Sequence, residues 1–229
     1  MIDKNKPERI ILQNSLIISC QAEFGSSFNN KNSIFAFSKE AELGGASGLR
    51  LKGEKNIKYI RDKTNLPIIG LTKSTFNKTN YVNITPTFED GLKLKNAGAD
   101  YIALDATGRN GYTHINRIKN ELNTRIIGDL SHIDEAESAI KNGCSLVSTA
   151  LSGYTDRHVS KLFEEPDFQL LSLLIKNFNV PILAEGRYWT RDNIRKAFDL
   201  GAHAVVIGSA VTRPRMITKY FKTSINREE

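Results

Sequence analysis

The sequence predicts a single α/β domain folded as a (β/α)8 barrel, and three observations support this. The chain has 229 residues, close to the ~250 that a barrel of eight strand–helix units typically uses. Short apolar segments alternate with amphipathic segments, which is typical of parallel strands buried under a helical layer. The apolar segments number eight, and eight units close most naturally into a barrel. We therefore expect one domain over residues 14–229, preceded by an N-terminal extension over residues 1–13.

The eight predicted strands are short and apolar on both faces, which favours parallel pairing. In chain order they cover residues 16–19, 48–51, 67–71, 101–104, 125–129, 146–151, 181–185 and 204–208. An open, doubly wound sheet is the alternative architecture. It is disfavoured because the G-x-G-x-x-G turn expected after its first strand is missing.

The helical segments before three of these strands share the same ending, a glycine followed by a small residue. Gly98, Gly143 and Gly201 stand at this point, and glycine is the usual residue after the last turn of a helix. The same helices begin with a serine or threonine, and a polar residue follows three positions later. These predicted N-caps are Thr87 with Asp90, Ser131 with Asp134, and Thr190 with Asn193.

The composition is that of a globular protein and argues against several classes of partner. Lysine and arginine number 32 against 25 aspartate and glutamate, a net charge of +7. The basic residues are scattered over helix faces rather than interleaved with aromatics, so we expect no nucleic-acid partner. No segment approaches the ~18 apolar residues that span a bilayer, so we expect no membrane partner. Cys20 and Cys144 are far apart, which predicts reduced thiols and a cytoplasmic protein.

Polar residues close nearly every apolar strand. Active sites of such barrels lie at the C-terminal ends of the strands, so the site candidates are Gln21, Arg50, Lys73, Asp105, Asp129, Thr149 and Glu185. Each one alone has a structural explanation, since a strand-end aspartate often caps the next helix and an arginine often pairs locally. Packing does not require polar residues at almost all the strand ends. The set therefore favours a shared polar pocket.

Lys73 and Glu185 are the candidates for proton transfer. A lysine at the rim of a tight barrel is expected to have its pKa lowered by burial and by Arg50, and it could then act as a base. Glu185 is a second titratable group in a different environment, and together they could abstract a proton next to a carbonyl. The alternative is a surface lysine with an ordinary pKa. The irregular stretch that follows, residues 74–85, is expected to be an active-site loop.

The loops after the seventh and eighth strands predict a phosphate site, which is a common place for one in this fold. Gly186 and Arg187 follow the seventh strand, while Gly208, Ser209 and Arg213 follow the eighth. Glycine lets backbone N–H groups approach an anion, and arginine adds a charge-assisted hydrogen bond. The four histidines have no paired ligand spacing, so we expect neither a metal nor another cofactor.

Nine segments occur in an order that is specific, although no single segment is. They are 19–22 (SCQA), 44–50 (GGASGLR), 66–73 (LPIIGLTK), 84–86 (ITP), 102–107 (IALDAT), 128–129 (GD), 151–155 (LSGYT), 184–187 (AEGR) and 208–214 (GSAVTRP). The series resembles the N-acetylmannosamine-6-phosphate 2-epimerase family. The resemblance implies a barrel isomerase that interconverts N-acetylmannosamine 6-phosphate and N-acetylglucosamine 6-phosphate in bacterial sialic-acid and amino-sugar breakdown.

The resemblance also implies roles for individual residues. Lys73 resembles the catalytic lysine of the family and Glu185 its partner carboxylate. The substrate-binding candidates are Gln21, Arg50, Asp129, Thr149 and Tyr154, and the phosphate-binding candidates are Gly186, Arg187, Gly208, Ser209 and Arg213. We expect a sugar phosphate as the small-molecule partner, and a homodimer is left open.

Two features of this sequence depart from the family pattern. Residues 108–111 read Gly-Arg-Asn-Gly where the family commonly has a basic, proline-bearing loop, so no ligand contact is carried over there. The extension over residues 1–13 is longer than usual. The alternative functions are another phosphosugar isomerase of the barrel class and a non-catalytic protein that binds phosphorylated ligands.

Overall fold

The computed structural model describes residues 8–75, 81–161 and 163–225. The strands of these residues are β1 (Ser15–Cys20), β2 (Gly48–Lys52), β3 (Ile68–Leu71), β4 (Lys73–Thr75), β5 (Val82–Ile84), β6 (Tyr101–Asp105), β7 (Arg125–Asp129), β8 (Leu146–Ser148), β9 (Tyr154–Thr155), β10 (His158–Val159), β11 (Ile182–Glu185) and β12 (Ala204–Ile207). Eight of them close a parallel barrel in the order β1-β12-β11-β8-β7-β6-β3-β2. The predicted fold class is confirmed, and the ends of the predicted strands are correct to within three residues.

Helices follow the barrel strands and cover the outside of the barrel. In the described part of the chain they are α1 (Lys31–Leu43), α2 (Glu54–Arg61), α3 (Phe88–Asn96), α4 (Thr113–Leu122), α5 (Ala136–Lys141), α6 (Phe168–Asn177), α7 (Arg191–Asp199), α8 (Ser209–Thr212) and α9 (Pro214–Thr223), with a 3-10 turn over Ile133–Glu135 before α5. Within those same residues, no helix is both long and apolar enough to cross a membrane.

Two of the three predicted N-caps are confirmed. The Thr87 hydroxyl accepts a hydrogen bond from the backbone N–H of residue 90 at 3.1 Å, and Thr190 makes the equivalent bond at 3.1 Å with residue 193. The cap at Ser131 is wrong. There the carboxylate of Glu135 accepts from the backbone N–H groups of Ser131 at 2.7 Å and His132 at 3.0 Å, because an ionised acceptor makes the stronger hydrogen bonds.

The predicted helix endings are confirmed by backbone geometry. Gly98, Gly143 and Gly201 have φ values of 99°, 124° and 103°. This left-handed region carries a steric penalty for a residue with a Cβ atom, so glycine ends these helices at little conformational cost.

The core has two layers that follow the alternation of side chains along each strand. Within β1, Ile17 belongs to the cluster inside the barrel, whereas Ile18 belongs to the cluster between the barrel and the helices. Ile11 packs against the inner cluster and is 6% exposed. Its backbone N–H donates to the Tyr101 hydroxyl at 3.0 Å and its carbonyl oxygen lies 3.0 Å from Nε2 of His203. Residues 8–13 therefore lie against the N-terminal end of the barrel, whereas residues 1–7 of the predicted extension fall outside the described residues.

The stretch predicted as an active-site loop is partly ordered into strands. Strands β4 and β5 pair antiparallel, with Lys73 opposite Ile84 and Ser74 opposite Asn83. Residues 76–80 fall outside the described residues. Lys73 is therefore the first residue of a short hairpin that continues from the end of β3.

Candidate active site

A buried arginine joins two acidic side chains from different strands at the C-terminal mouth of the barrel. Arg50 in β2 donates from Nη2 to Asp129 Oδ2 at 2.5 Å and from Nη1 to Asp129 Oδ1 at 3.3 Å. Its Nη1 also lies 3.0 Å from Glu185 Oε2. Arg50 is 2% exposed and Asp129 is fully buried, so these charges are screened little by water.

A serine hydroxyl supports the Arg50–Asp129 ion pair, and the two carboxylates keep Arg50 charged. Ser148 donates from Oγ to Asp129 Oδ1 at 2.8 Å. Burial disfavours a charged guanidinium, but the carboxylates of Asp129 and Glu185 outweigh burial and raise the pKa of Arg50. Arg50 is therefore a fixed positive charge at the mouth of the barrel.

The half-buried Lys73 has an amine that titrates far below its ordinary range. Burial is the largest cause, the nearby guanidinium groups of Arg213 and Arg50 add to it, and the Glu185 carboxylate opposes it, so that the pKa of Lys73 falls to about 8. The sequence-based expectation named burial and Arg50, and the structure adds Arg213. About a tenth of such an amine is unprotonated at pH 7, far more than of an ordinary lysine, and the unprotonated form is what a general base requires.

Glu185 is displaced in the opposite direction. Burial raises its pKa most, and the Asp129 carboxylate raises it further, against the opposing effects of Arg50 and Lys73, to about 7. The side chain is 17% exposed, so it is accessible from the mouth. Two groups that titrate close to neutrality and interact electrostatically therefore lie at the same end of the barrel, which is an arrangement suited to proton transfer.

Several buried polar atoms at this end of the barrel lack a hydrogen-bond partner in the described part of the chain. They are Gln21 Oε1, Arg50 Nε, Glu185 Oε2 and Arg213 Nε. Glu185 Oε2 is close to Arg50 Nη1 but is not aligned for a hydrogen bond. Because buried polar atoms are rarely left unpaired in proteins, a polar ligand or water bound at this position would satisfy these atoms.

Two predicted contact residues, Thr149 and Arg187, have their polar atoms engaged with the protein itself. The Thr149 hydroxyl donates to the Glu185 carbonyl oxygen at 2.8 Å and accepts from the Glu185 N–H at 3.0 Å. A hydroxyl has one donor, and that of Thr149 is used on the Glu185 carbonyl oxygen. Thr149 therefore holds the end of β11. Arg187 donates to the carbonyl oxygens of residue 165 at 2.9 Å and residue 152 at 2.6 Å. It also lies over the ring of Tyr154, which is 48% exposed.

The predicted phosphate residues lie on adjacent loops, since β11 and β12 are neighbours in the barrel. Gly186 has φ 107°, and Gly208 and Ser209 stand at the start of α8. Arg213 forms an ion pair from Nη1 to Glu23 Oε1 at 3.0 Å. Arg213 is close enough to Lys73 for its charge to lower the pKa of the lysine. The predicted phosphate loop therefore influences the predicted base.

Sequence reasoning missed two residues that support this site. Ser148 interrupts an apolar strand and hydrogen-bonds Asp129, and its polarity inside β8 was an available signal. Glu23 lies in the loop after β1, where nothing in the sequence pointed to Arg213. Asp105 is held locally by Thr107 and Arg109, at 2.6 and 2.7 Å; it does not cap the next helix, since α4 begins only at Thr113. Among the residues that the structure describes, no three His, Cys, Asp or Glu side chains are grouped to hold a metal ion.

The sequence model of the family described as "Putative N-acetylmannosamine-6-phosphate epimerase" matches residues 34–227. The chain belongs to this epimerase family. Membership also identifies it as an isomerase, in agreement with the class expected from the sequence.

Individual members of the epimerase family match over nearly the whole chain. A relative from Caldanaerobacter subterraneus subsp. tengcongensis, named as a 2-epimerase of N-acetylmannosamine 6-phosphate, is 40% identical and covers 93% of this chain and 92% of the relative. One of the same name from Clostridioides difficile is 37% identical over 92% and 95% of the two chains. The solved N-acetylmannosamine-6-phosphate 2-epimerase from Clostridium perfringens superimposes with a TM-score of 0.86 at 34% identity, covering 93% and 94%.

Proposed function

We propose that the protein interconverts N-acetylmannosamine 6-phosphate and N-acetylglucosamine 6-phosphate by moving the proton on C2, in sialic-acid and amino-sugar breakdown. Its family membership supports the substrate, and the observation that carries the chemistry is the pair of Lys73 and Glu185 with pKa values of about 8 and about 7. In the open-chain sugar the C2 proton is acidic because C1 is an aldehyde. Lys73 removes it, and the electron pair moves onto the C1 oxygen as an enolate. A proton from the Lys73 ammonium or from the carboxyl group of Glu185 then returns to the opposite face of C2 as the C1 aldehyde re-forms.

The remaining residues of the site bind and orient the sugar phosphate in this proposal. Gln21, Arg50 and Asp129 face the sugar, together with Tyr154. Thr149 acts through the backbone of Glu185. The phosphate binds at Gly186, Gly208, Ser209 and Arg213, whose glycines and guanidinium suit a dianion, while Arg187 holds the adjoining loop by its carbonyl contacts.

Incubation of N-acetylmannosamine 6-phosphate in deuterated water tests the proposal. We expect the wild type to place deuterium at C2 and to form N-acetylglucosamine 6-phosphate, both measured by NMR. Lys73→Met should do neither. Lys141→Met is the matched control, because Lys141 is exposed at the end of α5, and it should behave as wild type. A pure, folded wild type that binds the sugar phosphate without exchange or conversion would identify a binding protein instead.

We further propose that the protein works in the cytoplasm as a homodimer. Its two described cysteines are free thiols buried in the core, as suits a reducing compartment. Helix α9 has no buried residue and exposes Phe221, and Val211 and Ile225 are also exposed. Burial of exposed apolar side chains of this kind favours association with another chain. Light scattering at micromolar concentration should give twice the 25.6 kDa mass, and a monomer would exclude the dimer.

A further inference from the structure

Thr85 has a backbone conformation that its residue type disfavours. Its φ is 45°, in the left-handed region, where a β-branched residue is a genuine outlier. It also precedes Pro86, which further restricts its backbone. Glycine would adopt this turn with little strain. Such strained residues persist where the surrounding structure holds them, and they cluster at functional sites, so the side chain of Thr85 calls for an explanation.

The hydroxyl of Thr85 joins two parts of the barrel beside Lys73. It accepts from the backbone N–H of Thr72 at 3.1 Å and donates to the carbonyl oxygen of Ala103 in β6 at 2.7 Å. In addition, the Thr85 N–H donates to the Thr72 carbonyl oxygen at 3.2 Å. Thr85 is fully buried, so water does not compete for these bonds. Thr72 is the residue directly before Lys73.

This link replaces strand pairing at the point where the barrel opens. The parallel register between β3 and β6 ends with Gly70 opposite Ile102. Beyond that pair, β3 leaves its neighbour and continues into the β4–β5 hairpin. The Thr85 hydroxyl makes the next connection between the two chain segments, and it fixes the backbone from which the Lys73 side chain projects.

A second contact ties the same hairpin to the loop after β6. Asn110 donates from Nδ2 to Asn83 Oδ1 at 2.8 Å, and Asn83 donates back to Asn110 Oδ1 at 3.3 Å. Asn110 lies in the loop between β6 and α4. The hairpin that carries Lys73 is therefore held at two points to β6 and its loop.

We propose that Thr85 is a positioning residue for Lys73: its hydroxyl, at the expense of a strained backbone, holds Thr72 against β6 and so fixes the place of the lysine amine in the site. This proposal rests on the proposed proton-transfer role of Lys73. It explains why threonine rather than glycine stands at a position with positive φ.

Three substitutions separate the hydroxyl from the backbone strain. Thr85→Val removes the hydroxyl and keeps the β-branch, Thr85→Gly removes the hydroxyl and relieves the strain, and Thr85→Ser keeps the hydroxyl. We expect kcat for C2 exchange to fall about 10²-fold in the valine and glycine variants, as a misplacement of about 1 Å costs, with KM near that of wild type. The serine variant should stay close to wild type. If the valine variant does not fold, the glycine variant still tests the loss of the hydroxyl, without the backbone strain.

The matched control is Thr64→Val, at the other end of the same barrel strand. The Thr64 hydroxyl is also bonded to a backbone N–H, that of Leu66 at 3.1 Å, and to Glu42 at 2.9 Å. Its loss removes a comparable bonded hydroxyl far from the mouth of the barrel. We expect Thr64→Val to have a lower melting temperature and an unchanged kcat. If Thr85 had a purely structural role, the Thr85 variants would show this same result.

A readout that does not need turnover is the titration of the Lys73 amine, measured from the pH dependence of its acetylation by acetic anhydride and mass spectrometry. The charged groups that face this amine are Arg213, Arg50, Glu185 and Lys52. In Thr85→Val and Thr85→Gly we expect the pKa to rise from about 8 toward 10.5, because a displaced amine is less buried. The serine variant and Thr64→Val should leave it unchanged.

The outcomes distinguish this proposal from the proposed function. Wild-type kcat and an unshifted Lys73 titration in both hydroxyl-free variants overturn the positioning role, as does a serine variant as impaired as valine or an equal loss of kcat in Thr64→Val. A wild type without C2 exchange overturns the proposed function. In that case the acetylation profile alone decides on Thr85, since a shift supports positioning and no shift refutes it.

Discussion

Replacement of Arg50 by methionine tests whether the three charges at the mouth of the barrel form one unit. The substitution keeps an unbranched side chain but leaves the carboxyl groups of Asp129 and Glu185 without the guanidinium that lies 2.5 and 3.0 Å from them. Removing one partner of a buried ion pair costs about 3–5 kcal/mol of unfolding free energy. For a chain of this size that corresponds to a fall of about 6–20 °C in melting temperature.

The pH dependence of this loss has a definite sign. Arg50 lowers the pKa of Glu185 against the effect of burial, so without the guanidinium the folded-state pKa of this carboxyl should rise further above its wild-type value of about 7. A folded state that binds protons more tightly than the unfolded state gains stability as pH falls. The deficit of the variant relative to wild type should therefore be largest near pH 8 and shrink toward pH 5.

Urea unfolding of both proteins between pH 5 and pH 8 measures this deficit. Arg195→Met is the matched control, because Arg195 pairs with Asp192 at 2.8 Å on the surface and both side chains are more than half exposed. It should leave the urea midpoint unchanged at every pH. A deficit below about 1 kcal/mol for Arg50→Met, or one equal at pH 5 and pH 8, would refute the reasoning.

Three further predictions concern proton transfer, the thiols and the packing of β3. The kcat/KM for C2 exchange should rise with pH through about 8 as the Lys73 amine loses its proton, and Glu185→Gln should move this limb to lower pH, because the carboxylate raises the pKa of Lys73. Burial raises the pKa of Cys20 to about 11 and that of Cys144 to about 12, so Ellman's reagent at pH 8 should label neither thiol until the protein is unfolded. Gly70→Ala should cost about 1–3 kcal/mol in urea unfolding, because its Cβ would lie 2.8 Å from the methyl group of a neighbouring alanine; an unchanged midpoint contradicts this.

The barrel was predictable from sequence because its strands carry a local signal. A strand buried on both faces is a short apolar run, and each run found in the sequence became a strand of the barrel. The cap at Ser131 was not predictable from spacing alone, since Glu135 competes for the same N–H groups. The β4–β5 hairpin also escaped prediction. Its strands have three residues each, too few for an alternating pattern to show.

The sequence predicted which residues form the site better than it predicted the hydrogen bonds and ion pairs between them. Arg50, Asp129 and Glu185 follow from one rule, that polar residues at the C-terminal ends of barrel strands meet at the mouth. Which of these side chains pair with one another depends on the register between neighbouring strands, and the sequence does not show that register. Thr149 and Arg187 satisfy the same rule, yet their donors are engaged with backbone carbonyl oxygens, because a loop that turns sharply leaves carbonyl groups that a nearby donor must satisfy.

The positive charges of the site affect both the binding of an anionic substrate and the pKa of Lys73. Arg213 and Arg50 suit an anionic substrate, and the same positive charges lower the pKa of Lys73. A phosphate bound at Arg213 would offset that charge and allow the pKa of the lysine to rise, whereas a sugar covering the amine would bury it further and lower the pKa again. Glu185 adds a third influence, since its own pKa of about 7 makes its charge vary over the working range. Because burial is the largest cause of the shift at both Lys73 and Glu185, the closed geometry of the barrel mouth sets their proton affinities more than any single neighbouring charge does.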